Sequence, residues 1–358
     1  MTKKRKVTFP HFGDYCVPIE YLMRQGLDMD YVTPPPMSKR TLELGSKYSP
    51  DYVCAPFKIH LGCYIEAIEK GADTLLQTGG VCRLGFYGEL HEQILRDLGY
   101  QVDFINLAMA NYSKPYTFYR EFKKINPDLS LPKVSGALLT TIRMVESMDA
   151  ADDYIRRNIG FEQEEGAFDR LRADFLNSLA LVESQKELRY LAGNYMKRFK
   201  AIPVLKPKRP LRVGVVGEYY SVMDPFSNHY IEREMAKMGA VVARWMNISN
   251  SLFHYPKKEI QARIRGYARY NMGATSMATI ERALRFAKKG YDGIIHIKSF
   301  GCTPETDAMP VLQNISADYK IPILYFSFDS QTADAGIQTR LEAFYDMMTM
   351  RKGAAATG

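Results

Sequence analysis

The chemistry this chain could do is concentrated in its cysteines. An apolar run, "YDGIIHIKSF", ends in "GCTPETDAMP", so Cys302 stands where a strand should stop and a helix start. Cys54, in "PDYVCAP", reads as a strand end with Pro56 in the first turn of the next helix, and Cys82 lies in the Gly-rich loop of "DTLLQTGGVCRLG". A thiol kept for packing would sit inside an apolar run rather than just past its end. A helix N-terminus offers unpaired N–H groups and the positive end of the helix dipole, both of which favour thiolate, the metal-binding form.

Three thiolates with one open position suit a [4Fe–4S] cluster whose fourth iron can bind a substrate. Thiolate sites also suit zinc, so a zinc-stabilised binding protein is a third reading, behind the cluster. The alternative is three unrelated loop or core thiols. With no compact CxxC or ferredoxin spacing, the spacing does not choose between them. Two further cysteines are candidates for the same site. Cys63 follows on the helix that Cys54 should start, as a fourth ligand or as a packing residue. Cys16, in "FGDYCVPIEY", precedes Pro18 after a short strand.

The elements that must position these residues alternate. "KVTFPHF", "PDYVC", "ADTLLQTGG" and "YQVDFINL" read as strands, separated by the helices "PIEYLMRQG", "PFKIHLGCYIEAIEKG" and "GELHEQILRDLG". Strands separated by helices of this length imply βαβ units and a parallel sheet. The middle is helical and charge-laced, as in "AFDRLRADFLNSLALVESQKELRYLAGNYMKRF", and "KPKRP" then reads as a linker. From Leu211 the alternation resumes through "LRVGVVGEYY", "VVARWMNIS", "YDGIIHIKSF" and "IPILYFSF". The expected architecture is α/β: two Rossmann-like parallel-sheet domains joined by a helical middle segment, with an iron–sulfur cluster in the cleft between them. The expected divisions are 1–113 with Cys54 and Cys82, a helical connecting domain 114–205, and 206–358 with Cys302. Parallel sheets bind ligands beyond the carboxyl ends of their strands, so thiols at those ends could share one cleft if the sheets face each other.

Composition narrows the classes. The chain has 358 residues, 46% of them hydrophobic, enough to fill two cores, and no apolar run of membrane-spanning length. "MTKKRK" lacks the apolar region of a signal peptide, and five cysteines do not form a secreted disulfide framework, so a cytoplasmic location is expected. The net charge is +8. Its two visible clusters, Lys3–Lys6 and Lys206–Arg209, precede strands and read as solvated entry residues. No nucleic-acid-binding motif is present, and the field could instead attract an anionic substrate or an acidic protein partner. "VGVVGEYYSVMDP" lacks G-x-G-x-x-G, and there is no Walker A loop.

"CAPFKIHLG" followed by "GADTLLQTGGVC", and "GC-P-E" far downstream, resembles the 2-hydroxyacyl-CoA dehydratase and benzoyl-CoA reductase family. The closer likeness is to its activase-associated branch, which includes double-cubane-cluster proteins, and "SFDSQTADAGIQTRLEAF" is similar to that branch too. The resemblance implies a cytoplasmic iron–sulfur component of anaerobic metabolism, a reductase or acyl-CoA dehydratase-like enzyme. It would receive low-potential electrons from a separate ATP-dependent iron–sulfur activator protein. It carries the ligand roles to Cys54, Cys82 and Cys302, and implies a small-molecule substrate of the CoA-ester class and pairing with itself or a related subunit. A double cubane with six cysteine ligands from one chain is ruled out by five cysteines, so a larger cluster would need a non-cysteine ligand or a partner subunit. The alternative is a noncatalytic electron-transfer or cluster-carrying protein, favoured if Cys63 or Cys16 closes the site.

Outside the cysteines, Glu218, Tyr219, His229 and Glu305 could line the same cleft or serve as cap, solvent or packing residues. His60 and His296 fall in apolar stretches and read as core histidines. Arg340 and Glu342 could form an interdomain ion pair or bind substrate.

Overall fold

A computed structural model describes residues 4–78, 82–107, 119–120, 122–123, 126–329 and 334–357. The chain packs as two compact units, Met1–Val145 and Glu146–Gly358.

In the first unit, β1 (Lys6–Thr8), β2 (Asp30–Tyr31), β3 (Thr74–Thr78) and β4 (Asp103–Leu107) form a four-stranded sheet in the order β2-β1-β3-β4. Every pairing is parallel, with Val7 opposite both Tyr31 and Thr74, and Leu75 opposite Phe104. Helices α1 (Cys16–Tyr21), α2 (Lys39–Tyr48), α3 (Ala55–Glu69) and α4 (Tyr87–Asp97) make the connections. Successive strand side chains point to opposite faces, and β3 shows the result. Leu75 joins Leu61, Tyr64, Ile65 and Leu95 in one core cluster, while Leu76 joins Val7, Leu27 and Tyr31 in another.

The expected strand "PDYVC" is not there. Residues 51–53 are a turn and bend, and the true second strand is Asp30–Tyr31. Pro50 cannot donate to a ladder and Asp51 favours a turn, while Tyr52 has no core to enter and is 87% exposed. Cys54 therefore follows a turn rather than a strand, although it does start α3 as expected.

Helix α5 (Leu131–Arg156) contains the boundary between the units, and α6 (Ala167–Ala180) and α7 (Gln185–Ala201) follow. Partly buried ion pairs fasten the end of α5. Arg172 is bidentate on Asp152 at 2.6 and 2.9 Å, and Arg156 bridges Asp153 at 2.6 Å and Glu232 at 2.9 Å.

The second sheet is built from β5 (Leu211–Gly217), β6 (Ala240–Arg244), β7 (Gly293–Ser299) and β8 (Ile323–Phe328), in the order β6-β5-β7-β8 and all parallel. Its helices are α8 (Tyr219–Met223), α9 (Ile231–Lys237), α10 (Lys257–Ile264), α11 (Ser276–Lys288), α12 (Thr303–Tyr319) and α13 (Asp334–Thr357). All seven residues of β7 are buried, as a central parallel strand covered on both faces requires. Both sheets thus have the same strand order, with the connection reversing direction between the first and third strand of each. That switch point is where open parallel sheets bind ligands.

Candidate functional site

In the second unit the carboxyl ends of β5 and β7 flank the switch point. β5 ends at Gly217, whose φ is +140°, and a Cβ there would lie 1.8 Å from the carbonyl oxygen of Ile297. Only glycine lets the chain pass this close to β7. The next residue, Glu218, donates its N–H to that same carbonyl at 2.8 Å. Its carboxylate caps α8, accepting from the N–H groups of Tyr220 at 2.7 Å and Ser221 at 2.9 Å. Burial pushes the Glu218 carboxyl up against those hydrogen bonds, and Glu305 adds to the rise.

β7 leads through Phe300 and Gly301 to Cys302, the N-cap residue of α12, with Pro304 in the first turn. The Cys302 N–H donates to the Ser299 carbonyl at 3.0 Å. A glutamate three residues past an N-cap commonly reaches back to that N–H. Here Ser299 already occupies it, and Glu305 turns inward. Its Oε2 lies 2.8 Å from Nε2 of His296 on β7, with both side chains fully buried. Its Oε1 accepts from the hydroxyls of Thr279, at 3.1 Å, and Thr275. The first turn of α12 is thereby tied to β7 and to the start of α11. Two further polar atoms, Nδ1 of His296 and the hydroxyl of Tyr325, are buried with no hydrogen-bond partner among the described residues. Their rings pack edge to face at 5.5 Å.

Lys298, only 7% exposed, completes the strand end, with its ammonium 3.3 Å from the Phe300 carbonyl. Burial pushes its pKa down, while Cys302 and Glu305 oppose the shift. One strand end therefore carries a half-buried thiol at a long helix N-terminus, a buried ammonium and a buried carboxylate–imidazole pair. That arrangement can hold a thiolate and fix its position.

In the first unit Cys54 is the N-cap residue of α3, half-buried, with its sulfur in contact with the hydroxyl of Tyr87. Tyr87 sits edge-on to Phe57 at 4.8 Å, and His91 donates through Nε2 to the Phe57 carbonyl at 3.0 Å. Burial pushes His91 down to about 3 and His60 down to about 4. Cys82 is exposed, just beyond β3 and residues 79–81, which lie outside the described residues. Cys63 is 1% exposed in the core. Cys16 is half-buried, and burial, followed by Asp14 and Glu20, pushes its thiol up to about 11. Both Cys16 and Cys63 act on the buried Tyr31 hydroxyl.

All five cysteines are thiols rather than disulfide partners. Among the described residues, no group of three or more His, Cys, Asp or Glu side chains is gathered as a metal site. The fit of an iron–sulfur cluster therefore rests on the chemistry of the donors. Cys54 and Cys302 present soft sulfur donors at the N-termini of 15- and 17-residue helices, and neither sulfur caps its own helix.

The remaining candidates fall elsewhere. His229 has φ +54° and packs on Phe328 at 5.0 Å. Burial, then Asp149 and Glu218, pushes the Tyr219 hydroxyl up. Arg340 donates to the Tyr325 carbonyl at 2.6 Å and lies 4.4 Å from the Phe326 ring centroid, while Glu342 accepts from Gln338 at 2.8 Å. The Arg340 contacts hold α13 to β8, and the Glu342 bond stays within α13. Sequence reasoning passed over Lys298, Thr275 and Thr279. The one available signal was a histidine and a lysine inside the otherwise apolar "GIIHIKS".

Residues 185–348 match the family model of the 2-hydroxyglutaryl-CoA dehydratase D-component. Over this span, less than half of the chain, the sequence is similar to the 2-hydroxyacyl-CoA dehydratase family. The dehydratase-like span contains both switch-point strands of the second sheet, with Glu218, His296, Lys298, Cys302 and Glu305. It does not reach Cys16, Cys54, Cys63 or Cys82. No curated protein matches the chain. Among the described residues, no helix is long and apolar enough to cross a membrane.

Proposed function

We propose that this protein is the iron–sulfur component of a cytoplasmic, dehydratase-like or reductase system that works with a separate ATP-dependent activator. The observation that carries the reading is the position of Cys302. It lies inside the dehydratase-like span, at the N-terminus of α12 and beside the switch point of its sheet.

Cys54, Cys82 and Cys302 are the proposed cluster ligands. A [4Fe–4S] cluster held by them would supply an electron store and one open iron for a small-molecule substrate, a CoA ester in the dehydratase case. The chain's own part is positional and electrostatic. The positive end of the α12 helix dipole favours the Cys302 thiolate, and Lys298 adds positive charge nearby. The Glu305–His296 bond keeps the start of α12 against β7.

The test begins with anaerobic purification and quantification of iron and sulfide. Roughly four irons and matching sulfide per chain are expected for one cubane, whereas stoichiometric zinc without sulfide would overturn the reading. The second step mixes the protein with a cognate activator, dithionite and MgATP, and follows the cluster spectrum. Reduction should need all three, and turnover with dithionite alone would remove the activator from the scheme.

A further inference from the structure

The exposed edge of the second sheet, at β6, carries a cluster that the strand-end site does not use. Trp245, the chain's single tryptophan, directly follows β6. The Arg282 guanidinium lies 4.1 Å from its ring centroid, and Tyr255 packs beside it at 6.1 Å. Next to Arg282 is Glu281, a carboxylate with a 1% exposed side chain. It meets three guanidiniums: Arg263 at 2.9 Å and Arg285 at 3.2 Å on Oε1, and Arg282 at 3.0 Å on Oε2.

One carboxylate cannot balance three cations, and Arg282 is nearly buried. Burial, partly offset by Glu281 and reinforced by Arg285 and Arg263, brings Arg282 down to about 10, so it stays charged at neutral pH. The surrounding segment compounds the excess. Residues 251–290 hold nine Lys and Arg against two Glu, a net of +7 where the whole chain carries +8. Arg263 and Arg285 keep side-chain exposures of 46% and 37%, so their remaining N–H groups can reach a ligand from solvent. Both contact the same carboxylate oxygen, which holds two planar donor forks close together at the protein surface. Trp245 and Tyr255 are half-buried and supply aromatic surface beside the charges.

We propose that Trp245, Tyr255, Arg263, Arg282 and Arg285 form a binding site for a nucleoside diphosphate group. The guanidiniums take the diphosphate, and the aromatic rings take the base. The site stands independently of the cysteines and of any cluster.

Trp245 is itself the reporter, because no other tryptophan contributes to the fluorescence. The emission, excited at the red edge, is titrated with ADP, with inorganic pyrophosphate and with adenosine. ADP should give a saturable change, pyrophosphate a weaker one, and adenosine none. The double variant Arg263→Gln, Arg285→Gln should weaken ADP binding roughly ten-fold or more, as the loss of charge-assisted hydrogen bonds implies. Both side chains are partly exposed, so the variant is expected to fold, and circular dichroism verifies that it has. The proposal is overturned if ADP and pyrophosphate give no saturable change up to about 5 mM. Unchanged affinity in the folded double variant would overturn it as well. Pyrophosphate binding as tightly as ADP would overturn the assignment of the base to the aromatic rings.

Discussion

Nε2 of His296 lies 2.8 Å from Oε2 of Glu305, and neither side chain touches solvent. The bond joins a central strand to the first turn of the helix that Cys302 begins. Removing one partner leaves the other buried without its bond, which typically costs about 1–3 kcal/mol for a buried polar group. Glu305→Ala should therefore lose stability on that order in urea denaturation. Glu305→Gln, which can still accept from a threonine hydroxyl, should lose less. Equal losses in the two variants would contradict this, because they would show that the retained volume and threonine bonds of the glutamine contribute nothing.

Gly217→Ala tests the close approach of β5 to β7. The added Cβ would sit 1.8 Å from the Ile297 carbonyl oxygen at a φ of +140°, so backbone must move. A loss above about 4 kcal/mol, or failure to fold, is expected. A soluble variant with a native melting temperature would contradict this backbone path.

The first unit should be acid-sensitive. His91 and His60 are held at about 3 and about 4, below the ordinary 6.5, because burial disfavours their charged forms. Unfolding releases them to bind protons, so their contribution is complete above about pH 6.5 and is lost as pH falls toward 4 and 3. Each histidine accounts for about 1.4 kcal/mol per pH unit in that window. Denaturation midpoints measured from pH 7 to pH 4 should fall in the wild type. They should fall less in His91→Phe, provided that variant folds.

The cysteines should separate by iron content. Cys54→Ala, Cys82→Ala and Cys302→Ala should each lose most of the iron of anaerobically prepared protein. Cys63→Ala and Cys16→Ala should keep it, with an unchanged electron paramagnetic resonance spectrum. Loss of iron in either of the last two would make that residue a ligand, close the site and favour the noncatalytic electron carrier.

Cys16 also offers a test without metal. Its thiol is pushed up from 9 to about 11, mainly by burial. Alkylation by iodoacetamide, followed by mass spectrometry, should be slow at pH 8 and quicken as pH rises toward 11. Rapid modification at pH 8 would show an open, ionised thiol.

Much of the architecture is local information. Strand and helix periods announced both parallel sheets, and the step from "IIHIKSF" to "CTPE" located Cys302 at the start of a long helix, because apolar runs and Pro in a first turn act within a few residues. The same reasoning failed at "PDYVC", where apolar-looking residues form a turn, and it did not find Asp30–Tyr31, a strand too short to show a period. What the sequence by itself determined was the class of most elements and the places of Cys54 and Cys302 at helix starts. Only the tertiary structure decided that Glu305 turns inward to His296 and that Lys298 stays buried beside Cys302. It alone drew three arginines onto Glu281 next to Trp245. Some of these partners are close in the chain and others, such as Arg263 and Glu281, are 18 residues apart, but in each case whether a polar side chain meets another or meets water depends on which elements pack together, a relation that no local period encodes.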